Sequence, residues 1–180
     1  MKLRFLSLFL LLVLLVSCGA PAATTEENAP DTTVAEAVTP DAPSVYDEKG
    51  AVELLEMLRD TVTAEQLTVY IDPLPLSKKD DFKYHFFVDV DKNMTEAAIC
   101  QPINGVTPFF LGILKTSSEK SAKDIADKIE DNINYHKLIC TTFEKAHVEV
   151  KGSTVILILD GLADRADRML AAFEALANKS

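Results

Sequence analysis

The sequence predicts an α+β domain: a small antiparallel or mixed sheet of three to five strands, with two or three amphipathic helices packed mainly on one face. Three observations carry that expectation. Apolar residues recur at helical spacing near 49–62, 121–133 and 162–176. Alternating or continuously apolar runs lie at 82–90, 109–115 and 146–159. The resulting order is helix, mixed segment, strand, strand, helix, hairpin, helix, with no internal repeat.

Ahead of the domain come a leader and a linker. Lys2 and Arg4 precede an apolar run from Phe5 to Val16. That run is shorter than the ~20 residues a spanning helix needs, and its charged front suits a cleaved signal. It ends in Leu15-Val16-Ser17-Cys18, the pattern of a bacterial lipobox. Residues 1–17 are therefore expected to be a lipoprotein signal peptide, and Cys18 the lipidated first residue of the mature chain. Cysteine supplies the thiol that a thioether lipid requires. The other readings are a secretory signal cut near Ala20, Ala22 or Ala23, and an uncleaved anchor. The lipobox reading places the protein on the outer face of the cell membrane, held to the bilayer by the lipid on Cys18.

Residues 18–46 read as the lipidated cysteine and a disordered acidic tether. The stretch is built from Ala, Thr, Pro, Glu and Asp, without Lys or Arg. Pro21, Pro30, Pro40 and Pro43 break helices, and the acidic side chains repel one another, so too little apolar surface is available to order it. Such a linker stays extended. Residues 47–180 then form a single globular domain, long enough for a real core.

Within the domain, Val52, Leu55, Leu58 and Val62 mark the first helix. Leu67 to Ile71 is a short strand or a docked extended segment, ended by Pro73 and Pro75. Lys78 to Asp81 reads as a polar turn. Phe82 to Val90 reads as a half-buried strand, with Tyr84, Phe86 and Val88 on one face and His85, Phe87 and Asp89 on the other. A short segment through Ile99 is helix or strand. Phe109 to Lys115 is a strand in which Gly112 marks a weak point or a close backbone approach. Thr116 and Glu119 have capping-box spacing, and the helix after them buries Ala122, Ile125, Ala126, Ile129 and Ile133. Ala146 to Lys151 and Thr154 to Leu159 form a hairpin about Gly152, its second strand buried on both faces. Leu162, Ala166, Met169, Leu170, Phe173 and Leu176 line the last helix.

Charge excludes one class of function. The chain has 18 Lys+Arg against 28 Asp+Glu. Loss of residues 1–17 removes Lys2 and Arg4 and no acid, leaving 16 against 28, a net charge of −12. A surface this acidic offers nucleic acid no footprint.

The side chains with chemical potential are scattered. Cys100 and Cys140 stand outside any Cys-x-x-Cys, which leaves a structural disulfide or two separately buried thiols. Asp89-x-Asp91-x-Asn93-x-Thr95 resembles the front of a calcium loop, but Met94 and Cys100 stand where such a loop needs glycine and glutamate. Ser117-Ser118-Glu119-Lys120 contains Ser-x-x-Lys without the distant elements of an acyl-enzyme site, so helix capping explains it. His85, His136 and His147 lack zinc-ligand spacing. Asp160, Asp164 and Asp167, interleaved with Arg165 and Arg168, read as a surface salt-bridge pattern. No residue is assigned as catalytic or metal-ligating, and no cofactor is expected.

Leu111 to Thr116, Ser121 to Ile129 and Val148 to Asp160 together give a strand, a long charged helix and a Gly-turn hairpin, behind a lipobox and a tether. This arrangement resembles the bacterial lipoproteins of domain of unknown function family 4358, over roughly residues 80–160. Members often carry an acidic residue just before the first strand, where this chain has Thr107-Pro108, and a Tyr or Trp late in the long helix, where Tyr135 stands. The resemblance implies an envelope lipoprotein of Gram-positive-like bacteria and transfers no activity. The reading that fits all of this is a non-catalytic binding or scaffold module with an envelope protein or cell-wall partner. The alternative is an enzyme or accessory factor acting on envelope polymers, for which His85 and Asp89 are the first pair to inspect. A small-molecule or peptide carrier is a third.

Overall fold

A computed structural model describes residues 44–138 and 140–179. The leader, Cys18 and nearly all of the tether lie outside the described residues. Among the described residues no helix is long and apolar enough to cross a membrane.

The elements run α1 (Val45–Glu48), α2 (Ala51–Ala64), β1 (Val69–Pro73), α3 (Lys79–Phe86), β2 (Met94–Pro102), β3 (Phe109–Thr116), α4 (Glu119–Asn132), β4 (Lys145–Lys151), β5 (Thr154–Asp160) and α5 (Ala163–Glu174), closed by a 3-10 turn at Ala175–Lys179. All five strands join one antiparallel sheet in the order β1-β2-β3-β5-β4. The architecture is the expected α+β. The described domain includes α1, slightly ahead of residue 47, where Val45 and Tyr46 are buried.

Helices cover both faces of the sheet, where the sequence suggested mainly one. The cause lies in β3 and β5. Phe109, Leu111, Ile113, Ile156 and Ile158 join a core beneath α2 and α5. Their neighbours Phe110, Leu114, Val155, Leu157 and Leu159 join a second core beneath α3 and α4. Central strands apolar on both sides need cover on both sides.

The segment 82–90 is corrected from strand to helix followed by loop. Phe82 and Phe86 are four apart, fully buried, and stacked at 5.0 Å. That spacing satisfies a helix as well as a strand. Tyr84 separates the two readings, since a strand would bury it and it is 53% exposed. Asp80 and Asp81 occupy the first turn of α3, where the helix dipole favours acid. The helix ends at Phe87, whose φ of 63° is left-handed and rare for a bulky residue. Gly112 is the place where α3 meets the sheet. A Cβ there would lie 2.8 Å from the Phe86 ring, so the glycine permits a close approach.

The cap of α4 also moves. Ser118, rather than Thr116, accepts the backbone bond from Ser121 N at 3.2 Å. Thr116 instead donates its hydroxyl to Ser118 O and Ser153 O.

The register gives the sheet two distinct ends. Val69, Pro102, Phe109, Lys145 and Asp160 lie at one, and Met94, Thr116, Lys151 and Thr154 at the other. The chain enters the domain at the second end. There Asp47 accepts hydrogen bonds from Ser153 N at 2.8 Å and Ser153 Oγ at 2.7 Å. Tyr46 O receives Thr154 Oγ1 at 2.6 Å and the buried Lys115 Nζ, and Tyr46 OH donates to Phe173 O at 2.7 Å. The first end, opposite, is made of the loops 103–108, 133–144 and 161–162.

Candidate functional site

The loop end carries the unusual chemistry. Among the described residues, four of the six exposed large hydrophobic residues, Ile103, Val106, Tyr135 and Leu162, sit in its loops, at 65%, 64%, 40% and 54% exposure. The loop 103–108 is held in shape by Asn104, whose Oδ1 accepts from Thr107 N at 3.2 Å and whose amide donates to Thr107 Oγ1 at 3.0 Å. Gly105 takes a φ of 64° at its tip. Leu162 is displayed because Asp160 Oδ1 accepts from its backbone N–H at 2.9 Å, turning the chain before α5.

At the same end of the sheet, in loop 133–144, lies Lys137. An Asx turn at Asn134 and a bond from Phe143 N to Tyr135 O at 3.0 Å fold its loop back on itself. The ammonium is thereby pressed among aromatic rings, 4.2 Å from the centre of Tyr84, 4.9 Å from Phe110 and 5.3 Å from Phe87. Nζ is buried and, among the described residues, has no hydrogen-bond partner. Burial pushes its pKa down to about 8. It borders a cavity of about 50 Å³, whose lining includes Gln101, Thr107, Leu138 and Phe143 and no acidic residue.

His85 stands beside it in a defined state. Its ring stacks on Phe110 at 5.6 Å, almost parallel, and meets Tyr84 edge-on at 5.0 Å. Burial first, and then the Lys137 charge, push its pKa down to about 4. It is therefore neutral at pH 7. Tyr70 OH donates to Gln101 Oε1 at 2.9 Å, which leaves the Gln101 amide to donate to His85 Nδ1 at 2.9 Å. The proton of the neutral ring is then on Nε2. Such a ring serves as a platform and a donor, not as a base near pH 7.

The other candidates separate. His85 and Asp89 share no strand face. His85 belongs to the aromatic cluster, while Asp89 lies in the loop after α3, paired with Lys83 at 3.0 Å and 82% exposed. Asp91 Oδ1 is taken by the backbone and amide nitrogens of Asn93, both at 2.8 Å. Lys83, Asp89 and Asp91 border a cleft of about 380 Å³ with Lys128 of α4. Among the described residues no three His, Cys, Asp or Glu side chains converge as a metal set. Ser118 caps α4, and Lys120 pairs with Asp124 at 2.7 Å. His147 reaches Asp167 at 2.7 Å and His136 is exposed.

Cys100 and Cys140 are both free. Cys100 is buried in the core under α2, whereas Cys140 is exposed in a loop whose Phe143 packs into the opposite core. Neither a bonded pair nor two buried thiols describes them. The Asp160–Arg165 pair is not a surface contact either. Arg165 donates to both carboxylate oxygens at 2.7 Å, and both residues are buried. Arg168 does lie at the surface, bonded to Glu65 beside α2 at 2.6 Å.

Nothing in the sequence marked Lys137. A single lysine in a loop has no periodicity, and its partners come from α3 and β3. The one available hint was the aromatic density of Phe82-Lys-Tyr-His-Phe-Phe87.

No protein-family model, curated protein or solved structure matches the chain.

Proposed function

We propose that this protein is a lipid-anchored, non-catalytic binding or scaffold module of the cell envelope, held to the outer face of the membrane through Cys18, and that its loop end receives the partner. Lipoproteins of domain of unknown function family 4358 are the kin this reading expects. The lipobox Leu15-Val16-Ser17-Cys18 supports the anchor. The observation that carries the binding role is the apolar rim of Ile103, Val106 and Leu162, displayed at the end of the sheet opposite the one where the chain enters. Apolar side chains exposed together at one end of a domain suit an interaction surface. A domain whose chain enters at one end and whose apolar side chains lie at the other leaves the loop end open to a partner.

The polymer-acting enzyme loses its first support, because His85 and Asp89 belong to different environments. The test is crosslinking with mass spectrometry on intact cells. The wild type is expected to give a recurrent envelope partner through residues of the loop end. Cys18→Ser is expected to leave the membrane fraction and lose that partner. Crosslinks confined to Asp89, Asp91 and Lys128, or to wall fragments, would move the role to the cleft beside α4 and overturn this reading.

A further inference from the structure

Resting on the loop end as the binding surface, we propose that the Lys137 pocket is a carboxylate-recognition site, which takes one carboxylate carried on an apolar stem. This is an acidic chain, and its cations find acids readily. Lys83 pairs with Asp89, Lys145 with Asp167, Lys151 with Glu174 and the buried Arg165 with Asp160. Lys115, also buried, donates to Tyr46 O and has Asp47 and Glu96 nearby. Among the described residues Lys137 is the buried cation whose nitrogen has neither a carboxylate nor any hydrogen-bond partner.

Aromatic faces offset part of that burial through cation–π attraction. They do not accept the ammonium's N–H bonds in place of oxygen. An anion with two acceptor oxygens would do both, pairing the charge and taking the bonds. The cavity suits the size of such a group. Its volume of about 50 Å³ exceeds the ~10–15 Å³ needed for one water, and it is too small for a phosphorylated sugar or any larger ligand.

The surroundings select against other charges. A cation would meet Lys137, while an anion meets no carboxylate in the lining. Thr107 Oγ1 accepts from Asn104 and keeps its own proton to donate. Phe110, Leu138 and Phe143 line the apolar remainder, and loop 103–108, which borders the cavity, also carries exposed Ile103 and Val106. A carboxylate on an apolar stem can thus place its head on Lys137 and its stem along the rim. Two sources share this chemistry, a free short-chain acid and the C-terminal carboxylate of a polypeptide.

The experiment is a titration of the whole protein, purified in non-ionic detergent and labelled with 13C at lysine Cε, followed by NMR. The Lys137 signal is assigned by its absence in Lys137→Met. Propionate, an acetylated tripeptide with a free C-terminus and the same tripeptide as its amide are added in turn. A saturable shift of the Lys137 signal is expected with the acids, with the amide weaker by at least ~10-fold. If the tripeptide acid binds more tightly than propionate, the source is a polypeptide C-terminus; equal binding points to a free acid. Chloride at the same ionic strength controls for screening. No saturable shift at 100 mM acid, or a shift that chloride reproduces, overturns the carboxylate site. That failure leaves the apolar rim as a docking surface untouched, because the whole-cell crosslinks report on the rim independently.

Discussion

Lys137 shows how much one side chain departs from its ordinary chemistry when water is removed. Unfolded lysine keeps its proton to about pH 10.4, whereas the folded residue releases it near pH 8. Between those values the unfolded chain binds more protons, so stability rises with pH, by at most about 3 kcal/mol. Chemical denaturation at pH 7 and pH 10 should show this gain in the wild type. In Lys137→Met the gain disappears and stability at pH 7 increases, because a buried unpaired charge is gone. Its titrating neighbour His85 acts on the acid side. Its pKa of about 4 lies below the unfolded value near 6.5, so stability is lost as pH falls through that window, and His85→Phe should reduce the loss. The cysteines give a simpler contrast. Burial first pushes the Cys100 thiol up to about 12, while Cys140 is exposed. Iodoacetamide should therefore modify Cys140 in the folded domain and Cys100 only after unfolding.

At the scale of elements, legibility followed burial. The β4–β5 hairpin was readable because Thr154 to Leu159 is continuously apolar and Gly152, at φ 56°, makes the turn. Helix α4 was readable because Ala122, Ile125, Ala126 and Ile129 share one face and all are buried. Helix α3 was not, since a short stretch with apolar residues at every second position fits both periods until long-range packing decides. Its identity depends on Phe86 meeting Gly112 of β3, a contact that no local pattern encodes. Gly112→Ala should destabilise the domain by about 1–3 kcal/mol, because the added methyl meets two fixed rings, Phe86 and Phe110. The Asp160–Arg165 pair was misread for a related reason. The interleaving of Asp and Arg residues reads as a surface pattern, but the end of β5 carries Asp160 into the interior. Asp160→Asn leaves Arg165 buried without its counter-charge, and thermal or denaturant unfolding should show a loss of about 3–5 kcal/mol.

For the whole molecule, the antiparallel sheet separates the place where the chain enters the domain from the place where it displays apolar surface. Tyr46 and Asp47 fasten the incoming segment to the β4–β5 turn and to the end of α5. Each end of the sheet is thus fixed by residues far apart in sequence. The α+β class was legible in the sequence, and the strands of the centre were largely correct. The loop end was not legible as a site, because Ile103, Lys137 and Leu162 come from three separate loops that only the strand register brings to one end. The measurement that tests the account most directly is whole-cell crosslinking of the wild type beside Ile103→Asp/Val106→Asp. Both changes are at exposed positions, so folding should be retained. The double variant should stay at the membrane, keep its thermal stability, and lose the recurrent envelope partner. An unchanged set of partners in the double variant would contradict it.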